Sequence, residues 1–146
     1  MVGDLADNVY FNVVTFNTEI DHWKPGPVQA TDENKKNAQA WIRKLAPKAN
    51  GATNIHGALM EALGVTGKST AAASRQRKLV DSIYLLADGE PTYGKLTDPV
   101  DILQEVKFAN PDARIVIHAI RLGTLGNTKF MVDLAAQNGG AFVEIN

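Results

Sequence analysis

The sequence contains no cysteine. A chain without thiols has no disulfide framework, no thiol nucleophile and no thiolate ligand for a metal. It also lacks an excess of either charge, because 15 lysines and arginines stand against 16 aspartates and glutamates. Bulk charge therefore gives no indication of a nucleic-acid partner. No apolar run has the length of a membrane-spanning helix and no signal peptide is recognisable, so we expect no membrane contact for this chain, and its localisation stays unknown.

The composition is that of a globular chain with enough apolar residues for a core. Hydrophobic residues make up 45% of the 146 residues, and this length is about that of one domain. No repeat, low-complexity tract or linker divides the sequence. We therefore expect a single domain over residues 1–146.

Strand and helix patterns alternate along the chain. Strands are predicted at residues 9–16, 19–23, 82–87, 114–122 and 141–145, and helices at 31–45, 55–63, 98–109 and 127–138. Thr31 and Asp98 are typical helix caps, and the apolar run at 9–16 predicts a strand buried on both faces. The alternation predicts an α/β fold with a mainly parallel sheet and helices on both faces.

In such sheets the functional crevice lies at the carboxyl ends of the strands. Asn17, Asp88 and the loop before Thr53 are predicted at that edge. The Thr53 hydroxyl and the Asp88 carboxylate are hard oxygen donors that suit Mg²⁺ or Mn²⁺, although two donors are too few to hold the ion. The alternative interpretation is that Asp88-Gly89 forms a turn and Thr53 caps a helix.

Three ordered segments resemble a von Willebrand factor type A domain, in its bacterial, inter-α-inhibitor-like branch. They are Phe-Asn-Val-Val-Thr-Phe-Asn at residues 11–17, Gly-Ala-Thr-Asn-Ile at 51–55 and Ile-Tyr-Leu-Leu-Ala-Asp-Gly-Glu-Pro-Thr at 83–92. The tail from residue 115 to 140 is similar to the last two strands and the last helix of that family. The resemblance implies a three-layer, Rossmann-like fold with a short antiparallel edge strand.

The resemblance also implies a function. The family binds protein partners through a metal-ion-dependent adhesion site, at which an acidic residue of the partner completes the coordination of Mg²⁺, Mn²⁺ or Ca²⁺. Thr53 and Asp88 match two of the ligands, with Asn17 and Glu90 as expected neighbours. The family's Asp-x-Ser-x-Ser motif does not occur in the sequence. We therefore predict a non-enzymatic binding or adhesion module with a remnant site and weak or absent metal binding.

The resemblance also implies that the chain is an N-terminally truncated domain, which lacks the family's first strand and most of its first helix. In the family the first strand lies between the strands at 9–16 and 82–87. We predict that these two strands either pair directly or belong to a dimer that exchanges or shares elements, since unpaired strand edges are adhesive. A strand from another polypeptide is the third alternative.

The same residues leave two alternative functions open. An α/β enzyme handling nucleotides or phosphate would use Asp88 with His56 or Glu90, and a purely structural or oligomerising domain would need no site. The glycines and lysine at 64–70 lack the spacing of a phosphate loop, and no dinucleotide or hydrolase motif is present. We expect no catalytic residue.

The remaining residues of note have structural interpretations. His118 is expected to be a hydrogen-bonded residue of the core, and His56 to have a structural role. Trp41 is expected to lie in an apolar helix stripe with Ile42 and Leu45, and Trp23 to be partly exposed. A basic cluster is expected to be solvated or to face an acidic partner; it consists of Lys68, Arg75, Arg77 and Lys78.

Overall fold

The architecture is taken from a computed structural model that describes residues 1–45, 51–65, 79–124 and 126–145. The strands are β1 (Tyr10–Phe11), β2 (Val14–Phe16), β3 (Ile20–His22), β4 (Val28–Gln29), β5 (Ser82–Ala87), β6 (Val116–Leu122) and β7 (Phe142–Ile145). The helices are α1 (Asp32–Arg43), α2 (Ile55–Ala62), α3 (Pro99–Ala109) and α4 (Thr128–Gln137). The predicted order of helices and strands is confirmed, except that the strand predicted at 9–16 is divided into β1 and β2 and that β4 was not predicted.

A three-stranded parallel sheet in the order β5-β6-β7 forms the centre of the molecule. Tyr84 stands opposite His118 in one pair of strands, and Ile120 stands opposite Val143 in the other. Helices precede β6 and β7 in the chain, as parallel pairing requires. The α/β class predicted from the sequence is therefore confirmed.

One face of this sheet and three helices enclose the hydrophobic core. The buried residues come from α2, α3, α4 and the sheet, and they include Ile55, Leu59, Ile102, Val106, Ile117, Phe130 and Leu134. Side chains of a strand alternate between its two faces, so Leu85 and Ala87 point into this core whereas Tyr84 and Leu86 are exposed. The apolar stripes of α2, α3 and α4 therefore pack into one core.

Two short antiparallel pairs, β1 with β4 and β2 with β3, form a bent hairpin. The predicted single strand at 9–16 is interrupted at Asn12, whose side chain donates to Lys24 O at 2.8 Å and accepts from Val13 N at 2.9 Å. These bonds compete with regular pairing. The prediction that this strand is buried on both faces is also wrong, because Tyr10 is exposed and the rest of the segment is at most half-buried.

Helix α1 begins as predicted, with the Thr31 side chain accepting from Asn34 N. Its predicted apolar stripe is not buried, since Ile42 and Leu45 are exposed and Ala38 is the helix's buried residue. The reason is that α1 packs against the N-terminal turn Val2–Asp4 instead of covering the core.

His118 lies on the exposed face of the sheet rather than in the core. Its ring stacks on Tyr84 at a centroid distance of 4.7 Å, and its Nδ1 accepts from Ala141 N at 3.1 Å. The predicted hydrogen bond is therefore present, while the predicted burial is not. Trp23 is partly exposed, as expected, and stacks on Phe11 at 5.2 Å.

The direct pairing predicted between β2 and β5 does not occur in the described part of the chain, where the two strands belong to separate sheets. The hairpin is instead attached to α2, because β2 contacts this helix and Asn54 N donates to Asn17 O at 2.9 Å. Phe16 packs against the same core as β5. The predicted dimer stays a prediction.

Candidate functional site

Three loops meet at the N-terminus of α2, which lies at the carboxyl ends of β2 and β5. Asn54 N donates to Asn17 O at 2.9 Å, and Thr92 N donates to Thr53 O at 3.0 Å. We call the site formed by Asn17, Thr53, Asp88, Glu90 and Thr92 the rim. The structure thus connects the three loops that the sequence placed at this edge.

Thr53 is held in the rim by its backbone. Its N–H donates to Thr92 Oγ1 at 2.8 Å, in addition to the bond from Thr92 N. The predicted helix cap was assigned to the wrong residue, because the Asn54 side chain accepts from Gly57 N and caps α2. Sequence reasoning missed the positioning role of Thr92, for which its place in the motif at 83–92 was the available signal.

Asp88 is exposed and follows directly after β5. Its Oδ1 accepts from Glu90 N at 3.0 Å, which is the side-chain turn that the alternative interpretation predicted. Gly126 approaches this loop so closely that a Cβ there would lie 1.9 Å from Asp88 O. The Asp88 carboxylate therefore lies at the edge of the sheet, hydrogen-bonded to the backbone of Glu90.

The residues present do not by themselves fit a divalent cation. Mg²⁺ requires six oxygen ligands in near-ideal octahedral geometry. One oxygen of Asp88 already accepts a backbone N–H, and the described residues contain no group of three histidine, aspartate or glutamate side chains able to hold a metal. The donor set of the rim is therefore incomplete.

A partly buried network of side chains joins α2, α3 and the loop that follows Asp88. His56 of α2 is buried, and its Nε2 lies 3.0 Å from Glu105 Oε2 on α3. Lys95, from the loop that follows Asp88, donates to Glu105 Oε1 at 3.0 Å. The Lys95 ammonium is the main group that holds the pKa of Glu105 below its usual value, with a further contribution from His56. His56 is thus a structural residue bound to Glu105.

The same loop touches α2 at a glycine. Gly94 has a φ of +115°, and a Cβ at this position would lie 2.2 Å from Asn54 Oδ1. A side chain would meet both backbone strain and the capping residue of α2. Sequence reasoning did not single out Glu105, Lys95 or Gly94, because neither spacing nor motif connects them to α2.

The comparisons with known proteins agree with this geometry. The family model described as von Willebrand factor type A domain matches residues 1–143. The chain belongs to the von Willebrand factor type A domain family. The resemblance to this domain family is thereby confirmed, whereas its bacterial branch stays a prediction. The family is one of protein-interaction modules.

The mouse protein "Inter alpha-trypsin inhibitor, heavy chain 4" is 34% identical over 140 residues, which cover 96% of this chain and 14% of that protein. The human "Inter-alpha-trypsin inhibitor heavy chain H4" is 31% identical, with 96% of this chain and 15% of that protein covered. The von Willebrand domain described here therefore spans about one seventh of the length of these relatives.

A solved structure, "von Willebrand factor type A from Catenulispora acidiphila", superposes with a TM-score of 0.74 at 17% identity, covering 99% of this chain and 32% of that one. This confirms the Rossmann-like α/β fold. Proximal thread matrix protein 1 from the mussel byssus, solved with a zinc-occupied MIDAS motif, has a TM-score of 0.59 at 22% identity over 92% of this chain and 30% of that chain. The zinc belongs to that protein.

Two predictions fall outside the described residues. The structure does not describe the basic cluster at 68–78. It also does not describe most of residues 64–70, whose glycines and lysine superficially resemble a phosphate loop. Within the described ranges, no helix is both long and apolar enough to span a bilayer.

Proposed function

We propose that this von Willebrand domain is a non-enzymatic protein-binding module that presents the rim to its partner. The observation that carries the proposal is the attachment of three loops to the N-terminus of α2 by Asn17 O, Thr53 O and Thr92 Oγ1. A hydrogen-bonded frame of this kind holds exposed Asp88 and Glu90 in one geometry, which reduces the entropy lost on binding.

The contacts of His56 argue against the enzyme alternative. A general base needs to reach the reacting proton, either directly or through one water. The His56 ring is buried and hydrogen-bonded to Glu105, so it is not presented beside Asp88 as an acid or base. A panel of nucleotides and phosphoesters is expected to show no turnover. Turnover that disappears in Asp88→Ala would contradict the proposal.

We further propose that the chain taken alone holds a divalent cation weakly or not at all. The supporting observation is the incomplete donor set of Thr53 and Asp88. The resemblance implies an acidic partner residue, but without a cation such a residue would meet the exposed Asp88 and Glu90, which carry its own sign of charge. Recognition of an acidic group therefore requires ligands that come from outside these residues.

Calorimetric titration with Mg²⁺ and with Mn²⁺ tests this proposal. We expect no saturable heat for the chain or for Asp88→Ala. The matched control is Asp81→Ala, since Asp81 is an exposed carboxylate at the opposite end of the same strand. Tight binding that is lost in Asp88→Ala and kept in Asp81→Ala would show that the remaining residues are a sufficient site.

A further inference from the structure

Helix α4 ends in the sequence Asn138-Gly139-Gly140, which we call the α4–β7 turn. An asparagine that precedes glycine can lose its side-chain amide in water, because glycine has no Cβ to obstruct attack by its backbone nitrogen on the asparagine Cγ. The new N–Cγ bond closes a five-membered imide, and the amide leaves as ammonia with the proton of that N–H. Water then opens the imide at either carbonyl and produces aspartate or isoaspartate. The dipeptide is therefore a site at which water can change the chain covalently.

The side chain of Asn138 is held by both of its polar atoms. Asn138 is 1% exposed, its Nδ2 donates to Leu134 O at 2.8 Å, and its Oδ1 accepts from Asn110 Nδ2 at 2.8 Å. Asn110 is buried as well, and its side chain makes two further bonds with the backbone of Ile115. The carboxamide of Asn138 is consequently fixed and shielded from water.

The backbone of Asn138 has a conformation in which the imide cannot form. Ring closure requires Cβ of Asn138 and N of Gly139 to eclipse each other about the Cα–C bond. The ψ of Asn138 is 22°, and the tetrahedral geometry of Cα then places Gly139 N on the opposite side of this bond from Cβ. The reaction therefore needs a large rotation of ψ in addition to release of the carboxamide.

The α4–β7 turn is packed too closely on β6 for that rotation. Asn138 O accepts from Ile117 N at 3.3 Å, and a Cβ at Gly140 would lie 1.9 Å from Ile117 O. Gly139 has a φ of +66°, a conformation that favours glycine. The glycine that the turn requires is thus the residue that makes Asn138 reactive once the turn opens.

We propose that Asn138 is a latent deamidation site, which the folded domain keeps unreactive and which water modifies when the α4–β7 turn detaches from β6. Both products, aspartate and isoaspartate, carry a carboxylate in place of the carboxamide. A carboxylate has no N–H to donate to Leu134 O, and burying its charge costs free energy. The turn therefore does not close again on the modified side chain, and the reaction makes a transient opening permanent.

Peptide mapping by mass spectrometry gives the first test. The chain is incubated at one pH and temperature in native buffer and in guanidinium chloride that unfolds it, and the products at Asn138 are quantified. The same dipeptide at residues 50–51 is the reference for the unfolded chain. In denaturant we expect the two dipeptides to react at rates within about threefold of each other, and in native buffer we expect Asn138 to react more than about a hundredfold more slowly than in denaturant. Equal rates at Asn138 in the two conditions, or no reaction in denaturant, would overturn the proposal.

A variant pair identifies what protects the site. Asn110→Ala removes the donor to Asn138 Oδ1 and is expected to speed deamidation in native buffer by about tenfold or more. The control is Gly94→Ala, which introduces a clash with Asn54 at the opposite edge of the sheet and should speed the reaction by less than about threefold. Both are compared under conditions in which circular dichroism shows that the chain is folded. Equal acceleration would mean that global stability protects Asn138 rather than its contact with Asn110, and would overturn the proposal.

The wild type decides the point if Asn110→Ala does not fold. Guanidinium chloride below the unfolding transition hardly changes the rate of a reaction through local opening, whereas the rate of a reaction through global unfolding rises steeply. We expect a shallow dependence for deamidation at Asn138 and for hydrogen exchange of the Gly140 amide, which donates to Ala135 O at 2.9 Å. A steep dependence of the deamidation rate would overturn the proposal.

The variant Asn138→Asp tests whether the modified turn can close. We expect a lower denaturation midpoint than that of the wild type at about pH 7, and a difference that shrinks toward about pH 4, because a buried carboxyl binds its proton more tightly in the folded than in the unfolded state. The control is Asn37→Asp at an exposed position of α1, whose midpoint should follow that of the wild type. An Asn138→Asp variant as stable as the wild type at about pH 7 would show that the turn accepts the product, and would overturn the proposal. None of these measurements involves Asp88 or a metal, so their outcome is independent of the function proposed for the rim.

Discussion

His56 on α2 and Glu105 on α3 are hydrogen-bonded at 3.0 Å, and the same carboxylate accepts from Lys95 at 3.0 Å. One acidic side chain thus connects the helix that begins at the rim with the loop that carries Asp88 and Thr92. We therefore expect this contact to help position the rim.

Replacing Glu105 is expected to destabilise the fold. Glu105→Ala leaves the buried His56 ring without its partner, and a loss of about 1–3 kcal/mol in the free energy of unfolding is expected for an unsatisfied buried group. Urea denaturation measures the change. The control is Gln104→Ala, an exposed neighbour on the same helix, for which a change within about 0.5 kcal/mol is expected. Equal effects of the two substitutions would contradict the assigned role.

The lowered pKa of Glu105 predicts that the free energy of unfolding depends on pH. The pKa of Glu105 is lowered in the folded state from its ordinary value of 4.5, mainly by Lys95. The folded state therefore binds the proton less well than the unfolded state, so the stabilisation is complete above pH 4.5 and is lost as the pH falls through the lowered pKa. Glu105→Gln should lack this component. Urea denaturation between about pH 6 and about pH 3 should show the stability difference between wild type and variant shrinking. A constant difference would count against the ion pair.

Alanine substitutions at three glycines distinguish the cost of backbone strain from the cost of a steric clash. Gly94 has a φ of +115° and no room for a Cβ, Gly123 has a φ of +79° with nothing within 4 Å of a Cβ, and Gly26 has neither restriction. Gly26→Ala is expected to be nearly neutral, Gly123→Ala to cost about 1–2 kcal/mol from strain, and Gly94→Ala to cost more because it also displaces Asn54. Thermal or urea unfolding gives the ranking. A Gly94→Ala variant as stable as Gly123→Ala would show that Asn54 can move away without a loss in the free energy of unfolding.

A buried asparagine pair is expected to be a strong determinant of stability. Asn110 Nδ2 donates to Ile115 O at 2.7 Å and to Asn138 Oδ1 at 2.8 Å, and Asn110 Oδ1 accepts from Ile115 N at 2.9 Å. Asn110→Ala removes all three bonds in a buried site, and a loss of about 2–4 kcal/mol is expected. Asn37→Ala, at an exposed position of α1, is the control. A loss below about 1 kcal/mol for Asn110→Ala would mean that water replaces the side chain.

Much of the fold was predictable because its signals act over a few residues. The caps at Thr31 and Asp98, the helical stripes of α2 to α4 and the apolar strands β5 and β6 are local patterns. The location of the rim also followed, because the carboxyl ends of parallel strands meet at one edge. The ordered segments at 11–17, 51–55 and 83–92 then identified the family.

Local patterns failed where a distant contact decided the outcome. The strand at 9–16 is interrupted because Asn12 bonds to Lys24, and Ile42 is exposed because α1 packs against the N-terminal turn rather than on the core. Asn54 and Thr53 are both capable caps by residue type. The bonds of Thr53 to Thr92, 39 residues away in the chain, belong to the rim and are invisible in the sequence around the helix.

By itself the sequence determined the α/β class, the family and the edge of the sheet at which Thr53 and Asp88 lie. The 146-residue sequence does not contain the family's Asp-x-Ser-x-Ser motif, and this absence led to the prediction of an incomplete set of metal ligands. Only the tertiary structure decided that His56 is bound to Glu105 and that the hairpin stands apart from β5. Periodicity and capping are properties of neighbouring residues, whereas the partner of a side chain or of a strand edge depends on how whole elements pack.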